Sequence, residues 1–151
     1  MAKTLPLPFS PFMSSTKQVF CEWVRAFAAK DVEAVVACYH ANAVNWQVAD
    51  APVTGHAAIR EMMCGFFTAF PDAWTRVENT MIDSEWAAWE WIGGGTFRHA
   101  LGPWQPTGQS FEIRGCGFFH IVDGRIGLQR GYWDRAAWYQ QIGVPLDAAI
   151  K

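Results

Sequence analysis

Apolar positions fall into two regimes along the chain, a helical period before residue 71 and strand-like alternation after it. Val19, Phe20, Trp23, Val24 and Phe27 recur on one helical face, and Ser15 followed by Gln18 has the spacing of a capping box, which predicts a first helix over 15–30. Asp31 is placed to cap a second, shorter helix over 32–39, whose Val35, Val36 and Tyr39 extend the stripe. Residues 43–48 alternate as a half-buried strand does, and Pro52 ends that stretch. Thr54 precedes a third helix over 56–70 with a broad face of Ile59, Met62, Met63, Phe66, Phe67 and Phe70, stopped by Pro71-Asp72.

Four strands are then predicted, over 74–82, 86–97, 109–122 and 125–133. Asp123-Gly124 has the residue types of a type I′ hairpin. Gly93-Gly94-Gly95 lies inside a long strand and predicts a bulge or sharp bend there. A last short helix follows Asp134 and closes at Gly143 before Pro145. Helices first and strands afterwards make an α+β pattern: a curved mixed or antiparallel sheet wrapped around three N-terminal helices, with a short C-terminal helix. One domain is expected over 15–151, preceded by a flexible arm over 1–14 that Pro6, Pro8 and Pro11 keep from forming an unbroken apolar run.

Composition narrows the function. Hydrophobic residues make up 51% of the 151 positions and charged ones 17%, below the usual share of about 25%, so the chain leans toward burial and contact surface. A net charge of -2 without a basic run offers no footprint for nucleic acid and no polybasic stretch for an anionic bilayer. Cys21, Cys38, Cys64 and Cys116 are scattered singles, as are the histidines, so neither a disulfide framework nor a metal site is expected, and the reading is a cytoplasmic protein with free thiols.

Several strings in order resemble the SnoaL-like branch of the NTF2-like superfamily: Gly55 with Ala58-Ile59, Phe70-Pro71-Asp72, Gly95-Thr96, Pro106-Thr107-Gly108, Asp123-Gly124-Arg125-Ile126, and Tyr132-Trp133-Asp134 followed by Gln141-Ile142-Gly143. The resemblance implies a cone-shaped fold with a deep apolar pocket for a small hydrophobic molecule, no cofactor, and a homodimer through the outer sheet face. Members of that branch include polyketide cyclases that close a ring by intramolecular aldol condensation; more distant relatives isomerise ketosteroids or hydrolyse epoxides, and others only bind. The glycine run 93–95 and the stretch 98–105 depart from the family pattern, which leaves the substrate open.

Asp134 falls where the resemblance implies an acid/base aspartate, and a carboxylate beside apolar rings suits proton transfer next to a carbonyl. The same residue is also placed to cap the helix after it. Arg114 and His120 share parity with Glu112, Cys116 and Phe118, so they either face the pocket as oxyanion stabilisers or face outward. For ligand contact the candidates are Trp46, His56, Trp89, Trp91, Trp104 and Tyr132, because flat rings grip flat apolar molecules. The expected function is cofactor-independent proton transfer on a small hydrophobic carbonyl compound. The alternatives are a non-catalytic binding protein, or a hydrolase of the limonene-epoxide type.

Overall fold

The computed structural model describes residues 15–146; the arm expected over residues 1–14 lies outside them. Helix α1 (Ser15–Ala28) buries Val19, Phe20, Trp23 and Ala26 along one face. Gln18 Nε2 donates to Glu22 Oε1 at 3.0 Å, one turn further along the helix. The helix ends in a left-handed turn at Lys30 (φ 57°), with Lys30 N bonded to Phe27 O and Asp31 N to Ala26 O, the paired bonds of a Schellman motif. Asp31 then accepts from Ala34 N at 3.0 Å and caps α2 (Val32–Ala37).

That second helix is shorter than the pattern predicts. Tyr39 leaves it to open β1 (Tyr39–Gln47), which pairs with the two-residue β2 (Val53–Thr54). Three valines in six residues are poor helix formers, and the Tyr39 hydroxyl has partners on the sheet that a helical position would deny it. Helix α3 (Gly55–Ala69) stops one residue before Phe70, and β3 (Trp74–Asp83), β4 (Trp86–Thr96), β5 (Ser110–Val122) and β6 (Arg125–Trp133) follow, with α4 (Arg135–Ile142) last.

The six strands form one sheet in the order β2-β1-β6-β5-β4-β3, antiparallel throughout except for the parallel pair β1·β6. Asp123 and Gly124 both have positive φ, as a type I′ turn requires. No bulge occurs at Gly93-Gly94-Gly95: all three pair in unbroken register with β5, and Gly93 and Gly94 also pair with Thr75 and Trp74 of β3. The irregularity lies on β3 instead, between Val77 and Asn79. The glycines there serve close packing: a Cβ on Gly95 would stand 3.2 Å from Ala73 Cα and 3.3 Å from Phe70 Cβ, so the α3–β3 turn rests directly on the strand.

Two apolar clusters fill the hollow side of the sheet. One joins Trp23, Val35, Tyr39, Ile59, Trp89 and Phe119; the other joins Phe70, Phe97, Phe111, Trp138 and Ile142. On β5 the apolar row of Phe111, Phe119 and Ile121 is buried, so this row faces the helices. The polar row that includes Arg114 and His120 therefore lies on the outer face.

Candidate functional site

Between the two clusters the structure leaves a cavity of about 410 Å³, within the usual range of about 300–1,000 Å³ for small-molecule pockets. Its walls come from α1 and α3 (Trp23, Phe27, Met62, Met63, Phe66), from the sheet, from Leu101 in the loop after β4, and from Trp138 on α4.

The floor follows from cross-strand register. Trp91 stands opposite Gly115 and Gly115 opposite Trp133; one row over, Trp89 stands opposite Gly117, Gly117 opposite Gly131, and Gly131 opposite Gln47. A Cβ on Gly115 would overlap the Trp91 ring, one on Gly117 would lie 2.7 Å from Trp89 Nε1, and one on Gly131 would overlap the Gln47 carboxamide. Large side chains thus lie down across glycines rather than standing up into the space. Trp91, Trp89 and Gln47 each have a glycine neighbour to cover, and this leaves the space above them open.

One wall is polar and interlocked. Trp23 Nε1 donates to Tyr39 Oη at 2.9 Å, Tyr39 Oη donates to Gln129 Oε1, and Asn45 Nδ2 donates both to Gln129 Oε1 at 3.0 Å and to Tyr39 Oη at 3.3 Å. Gln47 Nε2 donates to Asn45 Oδ1 at 2.8 Å, and Trp133 Nε1 donates to Gln47 Oε1 at 3.2 Å. Tyr39, Asn45 and Gln129 are almost wholly buried. Burial pushes the Tyr39 phenol far up from its ordinary pKa, only partly offset by the hydrogen bonds from Trp23 and Asn45, so it stays protonated. Nε1 of Trp138 and Nε of Arg135 are also buried and find no acceptor among the described residues.

Among the lining residues Asp50 alone is titratable. It sits exposed on the turn after β1 and pairs with Arg135, whose guanidinium also lies 5.9 Å over the Tyr139 ring. Trp46 Nε1 donates to the Asp50 carbonyl at 3.2 Å, which braces the same turn from outside.

Of the residues singled out from sequence, Trp89 and Trp91 line the cavity. Asp134 is exposed and accepts from Ala137 N at 2.9 Å, so its observed work is to cap α4; it is not part of the lining. Arg114 lies on the outer face beside Glu78 at 3.4 Å, and His120 stacks on Trp86 at 4.6 Å with Glu85 3.2 Å from its ring nitrogen. Trp46 and Tyr132 also point outward, 38% and 39% exposed. His56 Nε2 is tied to Tyr39 O at 2.9 Å, and His40 Nε2 to Val122 O at 2.8 Å. Trp104 packs on Tyr139 behind Leu101, which takes the lining position in that loop. No group of three metal-ligating side chains gathers anywhere among the described residues.

Sequence reasoning did not single out Asn45, Gln47 and Gln129. The strand over 43–48 alternates as expected but in the opposite sense: its amides face in and Trp46 faces out. Mutual hydrogen bonding makes that inversion affordable, because a buried amide costs little once both its ends are satisfied.

A curved sheet closed by helices over an apolar chamber with one amide wall defines a small-molecule pocket protein of the α+β class. The family model for SnoaL-like polyketide cyclase matches residues 18–142, and the chain belongs to that family. Solved structures share the fold. A candidate SnoaL-like polyketide cyclase from Jannaschia sp. CCS1 superposes with a TM-score of 0.80 at 15% identity, over 93% of this chain and 99% of that one. AclR, a candidate hydroxylase from Streptomyces galilaeus, gives 0.75 at 22% identity over 88% and 99%. A protein with a ketosteroid isomerase-like fold from Catenulispora acidiphila DSM 44928, in complex with trimethylamine, gives 0.73 at 17% identity over 86% and 95%. No curated protein matches the chain significantly.

Proposed function

We propose that this protein binds one small, flat, largely apolar molecule in the chamber between its two apolar clusters. The observation that carries the reading is the cavity itself, held open by the tryptophan-on-glycine floor. Six indoles line it, those of Trp23, Trp74, Trp89, Trp91, Trp133 and Trp138, so occupancy is expected to change tryptophan fluorescence. Titration with neutral tricyclic aromatics should give a saturable one-site change. Ala51→Trp, an exposed rim position on the lining, should weaken it by blocking entry without loss of thermal stability. Fluorescence that never saturates, or that is indifferent to Ala51→Trp, would overturn the reading.

Catalysis is a second reading, and Asp50 is the residue that favours it. Proton transfer beside a carbonyl needs a base on the pocket surface, and Asp50 is the carboxylate found there, with Arg135 orienting it. In this reading Asp50 takes the proton from the α-carbon while wall amides hold the carbonyl oxygen. Deuterium exchange from solvent into the α-position of 2-tetralone, followed by NMR, tests it. Exchange should exceed the buffer rate and disappear in Asp50→Asn, whereas Asp134→Ala should lower stability by about 1 kcal/mol through loss of the cap and leave exchange intact. Exchange at the buffer rate would leave binding as the function.

A homodimer through the outer sheet face completes the proposal. Trp46, Arg130, Phe118, Ala88 and Met81 are successive cross-strand neighbours on that face, a band that crosses five strands.

A further inference from the structure

The hydrogen-bond directions in the polar wall are not free, and they decide what it offers a ligand. An indole N–H can only donate. Trp133 Nε1 therefore makes the Gln47 atom it meets the carbonyl oxygen, which turns Gln47 Nε2 toward Asn45 Oδ1 and Asn45 Nδ2 toward Gln129. From the other side Trp23 Nε1 donates to Tyr39 Oη, so the Tyr39 hydroxyl proton goes to Gln129 as well. Both arms converge as donors on one atom, Gln129 Oε1. A flipped Gln129 amide would set its N–H groups against Asn45 Nδ2, donor against donor.

This leaves the Gln129 amide nitrogen as the end of the network. Gln129 is 4% exposed and lines the cavity; its Oε1 is taken by Tyr39 and Asn45, and its Nε2 makes no hydrogen bond among the described residues. Its amide nitrogen is not sealed off as the Trp138 indole N–H is, so it opens on the cavity, and its acceptor has to come from whatever occupies the pocket. Trp138 Nε1, from another residue of the lining, is a fully buried donor without an acceptor among the described residues. The lining holds no lysine, arginine or histidine, so an anionic ligand would meet no cation there while losing its hydration.

We infer that Gln129 is the specificity-determining residue of the pocket, donating from Nε2 to a carbonyl or similar acceptor oxygen on a neutral ligand, and selecting against both hydrocarbons and carboxylates. The inference rests on the pocket-binding reading above. Tyr39 and Asn45 act through Gln129 as positioning residues, since together they hold its oxygen away from the ligand.

The test uses three probes of one tricyclic frame: 9-fluorenone, fluorene and fluorene-9-carboxylate, titrated into the full chain by tryptophan fluorescence. Wild-type protein should bind fluorenone about tenfold more tightly than fluorene, the worth of one neutral hydrogen bond, and the carboxylate most weakly. Gln129→Glu, titrated at a pH where its carboxyl is ionised, keeps an oxygen for Tyr39 and Asn45 but removes the donor, and Gln129→Leu removes both; each should erase the preference for fluorenone while fluorene still binds. Because the wild-type ratio needs no variant, a failure of Gln129→Leu to fold does not blunt the experiment. Equal binding of fluorenone and fluorene by the wild type, or a preference that survives Gln129→Glu, overturns the role of Gln129 and leaves the pocket reading standing. Binding of neither neutral probe overturns the pocket reading, and the inference falls with it.

Discussion

Tyr39 shows how one residue can answer to both fold and site. It opens β1, accepts from Trp23 and donates to Gln129, so it links the first helix to the polar wall. Replacing it with Phe leaves Trp23 Nε1 buried without its acceptor, and should cost about 1–3 kcal/mol of stability in urea unfolding. The same phenol makes stability depend on pH. Its pKa is raised by burial in the folded protein, so the folded state keeps a proton that the unfolded chain releases near pH 10. Stability is therefore fully present below that pH and falls as pH rises beyond it. Cys38, pushed up to about 11 chiefly by burial, adds a loss of the same sign that begins nearer pH 9. Urea unfolding between pH 8 and 11 should show this decline, shallower in Tyr39→Phe. A slope unchanged by that substitution would mean the phenol ionises equally in both states. None of this was legible from the sequence, where Tyr39 reads as the last apolar position of a helix.

At the scale of elements, the sequence was informative wherever a backbone joint demanded a particular residue. Asp72 accepts from both N and Oγ1 of Thr96 at 2.7 Å, tying the α3–β3 turn to the end of β4; Thr107 Oγ1 donates to Ile142 O at 2.6 Å; Asp134 caps α4. These residues belong to the strings that resemble the family. Caps, turns and ties of this kind specify the scaffold, which is why the fold could be read and the ligand could not. The site depends instead on register, on which residue lies opposite which glycine, and no single strand displays that. Gly115→Ala should expose the dependence. Its methyl would collide with the Trp91 ring, so overpacking should cost about 1–3 kcal/mol and tilt the indole into the chamber. The expected readings are a lower melting temperature and weaker binding of flat aromatics. Unchanged affinity would show that the floor has slack that the packing does not suggest.

For the whole molecule, the remaining question is what covers the convex face. Phe118 and Trp86 are each 39% exposed and Met81 is 67% exposed. Arg130 lies 5.9 Å from both the Trp86 and Phe118 rings and makes no ion pair among the described residues. The proposed homodimer would cover this surface, because an isologous contact places each patch on its own image. In that dimer the exposed rings would bury one another, and the Arg130 guanidinium would have carboxylates such as Glu90 on the same face of the other copy to pair with. Phe118→Asp inserts a charge in the middle of that band without touching the chamber, since β5 points Phe118 away from it. Light scattering should therefore give a dimeric mass for the wild type and a monomeric one for Phe118→Asp, with fluorenone affinity retained in the monomer. A wild type that is monomeric at tens of micromolar would remove the second copy as the occupant of this face. Loss of binding on dissociation would instead mean that the pocket depends on the interface, and that floor and outer face act as one structure.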